Sequence, residues 1–275
     1  MRIATWNVNS LKARLPKVLT WLEVAQPDVL CMQETKLADG AFPTMPFAGL
    51  GYDVAYHGNG RWNGVAIASR VGLSDSHPGF EGEELAGIEE CRLLTAVCGG
   101  VRVASVYVPN GRSVGSEQYY AKLEWLERLH QDLVEHCSAD EPLAVCGDFN
   151  VAPEDRDVFD ITKVNGGTHV SEPERKALGT LLDWGLYDAF RSVYPDQGSL
   201  FTWWDYRAGD FHKHRGMRID LVLVSRPLVS AARYALIDRE ARKGMNGPEP
   251  PSDHAPMFVD FDYGAEAATT GPASA

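Results

Sequence analysis

The chain has 275 residues, which is enough for one large domain or two small ones with an extensive core. Its composition, with 44% hydrophobic residues, is that of a soluble globular protein, and no segment has the apolar length of a signal peptide or a membrane span. The formal net charge of -12 counts against a nucleic-acid-binding protein without excluding one, because basic residues concentrate at 205–218 and 238–244 and acidic residues at 80–90.

The five cysteines contain no CxxC pair, so the sequence does not favour a zinc site. Cys31, Cys98 and Cys146 lie within apolar runs and are predicted to be reduced core residues. Reduced cysteines without a signal segment predict a cytoplasmic protein that does not associate with a membrane.

Ten segments rich in Val, Ile, Leu and aromatic residues, and bounded by Gly, Pro, Asn or Asp, are predicted to be strands. Residues 91–110 are predicted to form a hairpin that turns at Gly99 and Gly100. In chain order the predicted strands are 2–8, 28–34, 52–58, 64–70, 92–97, 101–108, 143–149, 218–225, 234–239 and 257–262.

Three segments are predicted to be helices: 15–25, 116–137 and 171–185. Ser171 and Glu174 form a capping-box pattern at the start of the third and are interpreted as caps. Many strands among few helices indicate a layered α/β sandwich with strands of mixed direction. One apolar face of the second helix is predicted to contain Leu123, Leu126, Leu129, Leu133 and Val134.

No short repeat and no linker divides the sequence, so we expect a single domain at 1–262. The remaining residues, 263–275, are small and polar and are expected to form a disordered tail.

Polar side chains lie at the ends of many of the predicted strands. Taken singly, each has an ordinary interpretation as a turn former, a surface acid or a core residue, but strand ends in layered α/β folds meet at one rim. The set includes a possible His–Asp pair and no convincing Ser or Cys nucleophile, which favours a hard cation such as Mg²⁺ and hydrolysis by water. Its members are Asn7, Asn9, Glu34, Tyr107, Asn110, Asp148, Asn150, Asp220, Asp253 and His254.

The segment "GDFN" at 147–150 raises two alternatives. If the strand continues, Asp148 and Asn150 project to one side and Phe149 to the other. Gly147 would leave room for the close approach of another backbone or a ligand. The alternative is an Asp/Asn turn that only ends the strand.

Seven motifs together resemble the exonuclease III family of apurinic/apyrimidinic (AP) endonucleases, within the endonuclease/exonuclease/phosphatase superfamily. The resemblance runs from Ile3 to Phe261 and is of the compact bacterial type. It implies a DNase I-like, four-layered α/β sandwich with two mixed β-sheets flanked by helices. The motifs are "WNVNSLKAR", "QPDVLCMQETK", "VYVPNG", "GDFNVAPEDRD", "FTWWDYR", "RGMRIDLVLVS" and "SDHAPM".

The resemblance implies a Mg²⁺-dependent DNA-repair nuclease, with Mn²⁺ as an alternative metal. Such an enzyme hydrolyses phosphodiesters at abasic sites and trims 3′ ends of duplex DNA, as a 3′→5′ exonuclease and 3′-phosphatase. The implied partner is double-stranded DNA with abasic sites or 3′ ends. The protein would act as a monomer in the cytoplasm, at the nucleoid.

Metal binding is assigned by the resemblance to Glu34, with Asn7 and Asp253 completing or orienting the shell of oxygens and water. Asp148 is the candidate general base for the attacking water. Asn150 orients Asp148 and touches the phosphate, and both residues are counted with the metal site.

Phosphate contact is assigned to His254, which pairs with Asp220, and to Tyr107 and Asn110. Pairing with Asp220 should keep His254 protonated or fix its tautomer. Asp253 and His254 are adjacent and should therefore face opposite ways.

The resemblance also implies an apolar slot for a flipped-out abasic sugar, formed by Trp203, Met217 and Ile219. Ordinary core packing is the alternative interpretation of Met217 and Ile219. Basic residues around the slot are expected either to contact the DNA backbone or to be solvated loop charges. These are Arg207, Lys213, Arg215 and Arg218.

Two other classes of function remain as alternatives to DNA repair. A superfamily phosphatase or phosphodiesterase acting on small phosphorylated substrates would use the same metal core, but "TWWDYR" counts against it. A non-catalytic binding module should have lost some of Glu34, Asp148, Asn150 and His254, and all four are present.

Overall fold

The computed structural model describes residues 1–80, 91–243 and 249–264. Most of the acidic segment predicted at 80–90, the last residue of the basic segment at 238–244 and most of the tail predicted at 263–275 lie outside these ranges. Among the described residues, no helix is both long and apolar enough to cross a membrane.

Within the described residues, the strands form two six-stranded sheets, with the orders β11-β12-β1-β2-β4-β3 and β5-β6-β7-β8-β10-β9. The pairs β1–β2 and β7–β8 are parallel and the other neighbours are antiparallel, so both sheets are mixed. The strands are β1 (Arg2–Asn7), β2 (Val29–Gln33), β3 (Asp53–His57), β4 (Val65–Ser69), β5 (Ser74–Pro78), β6 (Leu93–Cys98), β7 (Val101–Tyr107), β8 (Leu143–Asp148), β9 (Tyr187–Asp188), β10 (Asp220–Val224), β11 (Ala232–Ile237) and β12 (Met257–Phe261).

All ten predicted strands are confirmed, as is the hairpin that turns at Gly99 and Gly100. The two strands that were not predicted carry little signal. Ser74–Pro78 is polar and mostly exposed, and Tyr187–Asp188 is only two residues long.

The helices include the three that were predicted, and Ser171 and Glu174 form the expected capping box. On α3, however, Val134 is 50% exposed and Leu123 only half-buried, so the predicted face is partly wrong. Tyr119 and Lys122 are buried there instead, beside Leu126, Leu129 and Leu133. The helices are α1 (Leu11–Ala25), α2 (Thr44–Ala48), α3 (Glu117–His136), α4 (Ile161–Val164), α5 (Glu172–Trp184), α6 (Ala189–Val193) and α7 (Arg226–Val229).

Alternating side chains place each sheet between two apolar layers. Along β2, Val29 and Cys31 face the other sheet, whereas Leu30 and Met32 join the cluster that contains residues of α1. Strands of the second sheet alternate in the same way, with one face toward the first sheet and the other toward α3 and α5. The layers are therefore helix, sheet, sheet and helix, and the predicted four-layered sandwich is confirmed.

Gly147 allows β7 and β8 to lie close together, as the sequence predicted. A Cβ at this position would lie 1.9 Å from the carbonyl oxygen of Val106 on the neighbouring strand. Any side chain would therefore push the two strands apart just where β8 ends at Asp148.

Candidate active site

In the first sheet, strand pairing brings polar side chains to one rim. Asn7 ends β1 in register with Gln33 at the end of the parallel strand β2, and Glu34 follows Gln33 directly. Strand β12 runs antiparallel to β1, with Met257 opposite Thr5, so the residues that precede β12 lie beyond the end of β1. Residues that are far apart in the sequence therefore lie close together at this rim.

The second sheet contributes three more residues to the same rim. Tyr107 ends β7 in register with Asp148, which ends the parallel strand β8. Asp220, the first residue of the antiparallel strand β10, lies opposite Asp148. Two carboxylates therefore face each other across neighbouring strands, where like charges are unfavourable unless a cation lies nearby.

The carboxamide of Asn7 joins the two sheets at this rim. Its Nδ2 donates to Glu34 Oε1 and to Asp148 Oδ2, each at 2.9 Å. Its Oδ1 accepts a hydrogen bond from the backbone N of Asn9 at 3.0 Å, which fixes the orientation of the amide. Because one amide group contacts both acids, Glu34 and Asp148 aim oxygens at the same small volume.

His254 supplies the cation that the facing carboxylates require. Its Nδ1 lies 2.8 Å from Asp220 Oδ2, and its Nε2 lies 3.8 Å from Asp148 Oδ2. Burial alone would lower the pKa of His254, but Asp220 and then Asp148 outweigh it and raise the pKa to about 10. The raised pKa favours the protonated ring at neutral pH, with Nδ1 donating to Asp220.

Asp148 is a buried acid that lies near two other acids, so its charged form is disfavoured. Burial raises its pKa to about 7, and Asp220 and Glu34 add to the effect, whereas His254 and the amide of Asn7 oppose it. A carboxyl group with a pKa near neutrality suits proton transfer at the pH of a cell. Burial and the nearby Glu34 and Asp148 also raise the pKa of Tyr107, whose hydroxyl therefore stays protonated as a donor.

Asn150 follows Asp148 in a turn, not in a continued strand. Its φ of 51° ends the alternation that the sequence suggested, and its backbone N donates to Asp148 Oδ1 at 2.9 Å. Its side chain accepts from Asn110 Nδ2 at 3.1 Å and donates to the carbonyl of Val108 at 3.0 Å. The two alternatives for "GDFN" are thus both partly right: an Asp-based turn ends the strand and still holds both side chains at the rim. Phe149 points away into the helix-covered core, as expected.

Three residues at the rim have left-handed backbone conformations. Glu34, Lys36 and Asn150 have φ values of 51°, 53° and 51°. A non-glycine residue in this region costs on the order of 1–3 kcal/mol and persists only where its surroundings hold it there. Such strain concentrates at functional sites, so it supports the assignment of this rim as the active site.

Asp253 and His254 have separate partners, as their adjacency predicted. Asp253 accepts hydrogen bonds from Asn9 Nδ2 at 2.9 Å and from the indole Nε1 of Trp203 at 3.1 Å. His254 faces Asp220 and Asp148 instead. Asp253 is thus placed on the Asn9 side of the site and His254 on the Asp148 side.

The donor set of the rim suits a hard metal cation. Asp148, Asp220 and His254 each offer one ligand atom within 4.8 Å of the others and could hold a metal ion. The short His254–Asp220 hydrogen bond, however, marks those two side chains as a His–Asp pair. The oxygens of Glu34 and Asp148 that share Asn7 are the better candidates for metal ligands, because carboxylate and amide oxygens are the ligands Mg²⁺ prefers.

Comparison with known proteins agrees with this geometry. The model of the endonuclease/exonuclease/phosphatase family matches residues 4–254. Exodeoxyribonuclease III of Haemophilus influenzae is 33% identical, with 95% of this chain and 100% of the relative covered. The chain belongs to the exonuclease III family.

Two solved structures of the same fold are similar to the chain. An AP endonuclease from Archaeoglobus fulgidus is 37% identical with a TM-score of 0.90, covering 95% of this chain and 99% of that one. A 3′ phosphatase from Neisseria bound to a product DNA hairpin is 38% identical with a TM-score of 0.90, covering 96% and 100%. The predicted family and fold are confirmed.

The three residues predicted to form the family's apolar slot are brought together. Met217 and Ile219 are buried in a small apolar cluster, and Trp203 packs against it. Trp203 also pairs with Met217 and with His254 through isolated β-bridges, so the cluster adjoins the His–Asp pair. Trp203 is half-buried, whereas Ile219 is 2% exposed and contributes mainly to the core.

The basic residues predicted around the slot differ in their exposure. The side chain of Arg207 is 89% exposed beside Asp205, and Arg215 pairs with Asp210. Arg218 does not reach the surface: it is fully buried. Its burial is explained by two acidic partners, which the sequence did not reveal.

Arg218 is held by two carboxylates below the site. It lies 2.7 Å from Asp157 Oδ1 and 2.7 Å from Asp188 Oδ2, and Arg191 also pairs with Asp157. This network joins β10 to the elements around Asp157 and Asp188, and it orients the chain just before Ile219. In the structure Arg218 is therefore a buried ion-pair residue and not a surface contact.

Lys36 is a site residue that was not predicted. Its Nζ lies 2.9 Å from Glu34 Oε2 and donates to Asn9 Oδ1 at 2.6 Å. The signal was present in the motif "QETK", but a lysine two residues after a strand is ordinarily a surface charge. Only the left-handed turn at Glu34 brings Lys36 back to the carboxylate.

We predict that replacing Arg218 by Met mainly destabilises the fold. The change leaves Asp188 without its cation and Asp157 with Arg191 alone, at a cost of about 3–5 kcal/mol. The exposed pair of Arg207 is worth less than about 1 kcal/mol, so R207M is the matched control. Urea unfolding measures both, and equal stability losses in the two variants would contradict the buried assignment.

Proposed function

We propose that the chain is a Mg²⁺-dependent DNA-repair nuclease that hydrolyses phosphodiesters at abasic sites and trims the 3′ ends of duplex DNA. The observation that carries the proposal is the position of His254 between Asp220 and Asp148, beside the Glu34–Asn7 pair. The relatives at this similarity are named as an exodeoxyribonuclease III, an AP endonuclease and a 3′ phosphatase.

Proton transfer is the task proposed for Asp148. Its carboxylate accepts the proton of the attacking water, and the backbone N of Asn150 and the amide of Asn7 hold it in place. A pKa of about 7 lets Asp148 take that proton near neutral pH. Asn150 lies beside the reacting phosphate, as the family resemblance implies.

Charge stabilisation is the task proposed for His254. The protonated ring donates from Nε2 to a phosphate oxygen, while Asp220 holds Nδ1. Such a fixed cationic donor stabilises the negative charge that develops on the phosphate oxygens. Tyr107 and Asn110 add neutral donors on the other side of Asp148.

Metal binding is proposed for Glu34, with Asn7, Asp148, Asn150 and Asp253 completing or orienting the oxygen environment. Bound Mg²⁺ would supply positive charge against the phosphate oxygens, and Mn²⁺ offers the same chemistry. The excess of carboxylates over basic groups at the rim supports this assignment. Asp253 lies toward Asn9 and Trp203, so its contribution is to orient that side of the site.

Duplex DNA with abasic sites or 3′ ends is the proposed substrate, bound by a monomer in the cytoplasm at the nucleoid. The net charge of -12 does not prevent this, because Arg207, Lys213 and Arg215 lie in the segment between Trp203 and Met217 and are exposed or partly exposed. Trp203, Met217 and Ile219 are the residues proposed to accept a sugar that carries no base.

Four substrates test the proposal directly. They are otherwise identical duplexes with an abasic analogue, a nick or a 3′-phosphate, together with a free nucleoside monophosphate as a small phosphorylated compound. We expect hydrolysis of the duplexes with Mg²⁺ and none in excess chelator. Hydrolysis of the mononucleotide alone would contradict the DNA assignment in favour of a small-molecule phosphatase.

We predict that E34Q raises the Mg²⁺ concentration for half-maximal activity by at least about tenfold, because it removes an anionic ligand.

D148N should instead lower kcat by about 10²–10⁴-fold at saturating Mg²⁺, because it removes the proton acceptor while keeping the shape of the side chain. Both are measured by initial rates across a Mg²⁺ titration. An unchanged midpoint for E34Q, or an unchanged kcat for D148N, would contradict the respective role.

We predict that W203A lowers abasic-site incision more than 3′-phosphate removal. Loss of a ring that stacks on substrate costs about 1–3 kcal/mol, or roughly ten- to a hundredfold in rate. W203F keeps a ring but loses the hydrogen bond to Asp253, so it separates stacking from that bond. The ratio of the two activities is the readout, and a ratio that does not move in W203A would assign Trp203 to the core.

A further inference from the structure

A buried ion pair lies directly behind Asn150. Lys122 of α3 pairs with Glu174 of α5, and both side chains are fully buried. Glu174 also accepts from Thr168 Oγ1 at 2.9 Å, from the backbone N of His169 at 3.0 Å and from the Ser171 hydroxyl at 2.6 Å. The capping box is therefore only part of what Glu174 does.

The carbonyl oxygen of Asn150 is the meeting point of this network. Lys122 Nζ donates to it at 2.6 Å, and His169 Nδ1 donates to it at 2.5 Å. Burial, and then the charge of Lys122, lower the pKa of His169 to about 4, so the ring is neutral at physiological pH. Two donors from different elements thus converge on one backbone oxygen of the active site.

Fold stability alone does not account for this arrangement. A buried ion pair is often no more stable than apolar residues of the same size. Ser171 already caps α5, and Lys122 occupies the helix face that Leu126, Leu129 and Leu133 otherwise fill. The pair instead places a charged donor, the ammonium group of Lys122, on the carbonyl of Asn150, whose φ is 51°.

We infer that Lys122, Glu174 and His169 are positioning residues, which hold the Asn150 carbonyl and so keep Asn150 in its left-handed conformation, with its side chain bonded to Asn110 and its backbone N to Asp148. Glu174 keeps the ammonium group of Lys122 in place, and Lys122 holds the Asn150 carbonyl. The pair acts on the reaction only through Asn150. This inference rests on the proposed hydrolysis of DNA phosphodiesters.

The test replaces the pair by neutral residues of similar shape, as K122M/E174Q, in the full-length chain. Removing both charges avoids leaving either one buried alone, which favours folding. L133A is the matched control, because Leu133 is buried on the same helix near its other end. Melting temperature, kcat and KM on the 3′-phosphate duplex are measured for each variant.

We expect K122M/E174Q to lose between about ten- and a hundredfold in kcat, the cost of a small misplacement of a reacting group. KM should change less than about threefold, since ground-state binding is kept. L133A should lower the melting temperature at least as much while keeping the parent kcat. In an N150A background the pair replacement should add less than about threefold, because residues that act through one another are not additive.

A kcat that stays at the parent value in K122M/E174Q would overturn the inference, and so would full additivity with N150A. If that variant does not fold, H169F gives the second test, because it keeps a ring but removes the other donor to the carbonyl. It should lower kcat without raising KM, and a parent kcat in H169F would overturn the inference. An unmodified chain inactive on every duplex would instead reject the proposed function itself.

Discussion

The site depends on one electrostatic constraint, the placement of Asp148 and Asp220 opposite each other in neighbouring buried strands. Two such carboxylates are stable only if a positive charge lies between or beside them. His254 provides that charge, because it reaches Asp220 directly and lies 3.8 Å from Asp148. The same arrangement gives Asp148 a pKa of about 7 and raises the pKa of His254 to about 10. One set of contacts therefore produces both the proton acceptor and the cationic donor.

The fold supplies the geometry because the two sheets end their parallel pairs at the same rim. Asn7 then joins the sheets by contacting Glu34 of one and Asp148 of the other. Below it, Thr5, Gln33 and Ser105 form a buried hydrogen-bonded chain across the same sheet interface. The relative position of the two halves of the site is thereby fixed by polar contacts as well as by apolar packing.

Much of this could be predicted from the sequence, because strand periodicity and short motifs are local signals. The strand-end residues Glu34, Asp148, Asp220 and His254 meet as expected. Arg218 and Lys122 could not be placed, because a buried charge looks the same in a sequence as a solvated one until its partners are known. Arg218 pairs with Asp157 and Asp188, which are distant in sequence. Lys122 pairs with Glu174 on another helix.

The protonation state of His254 in the folded protein tests this account most directly. Proton and nitrogen NMR of the imidazole ring should show both nitrogens protonated from neutral pH to well above the ordinary pKa of about 6.5, consistent with a pKa of about 10. The raised pKa also means that the pairing stabilises the fold fully below about pH 6.5 and that this stabilisation is lost as the pH rises through about 10. A ring that loses its proton near pH 6.5 would contradict the account, because the facing carboxylates would then lack their cation.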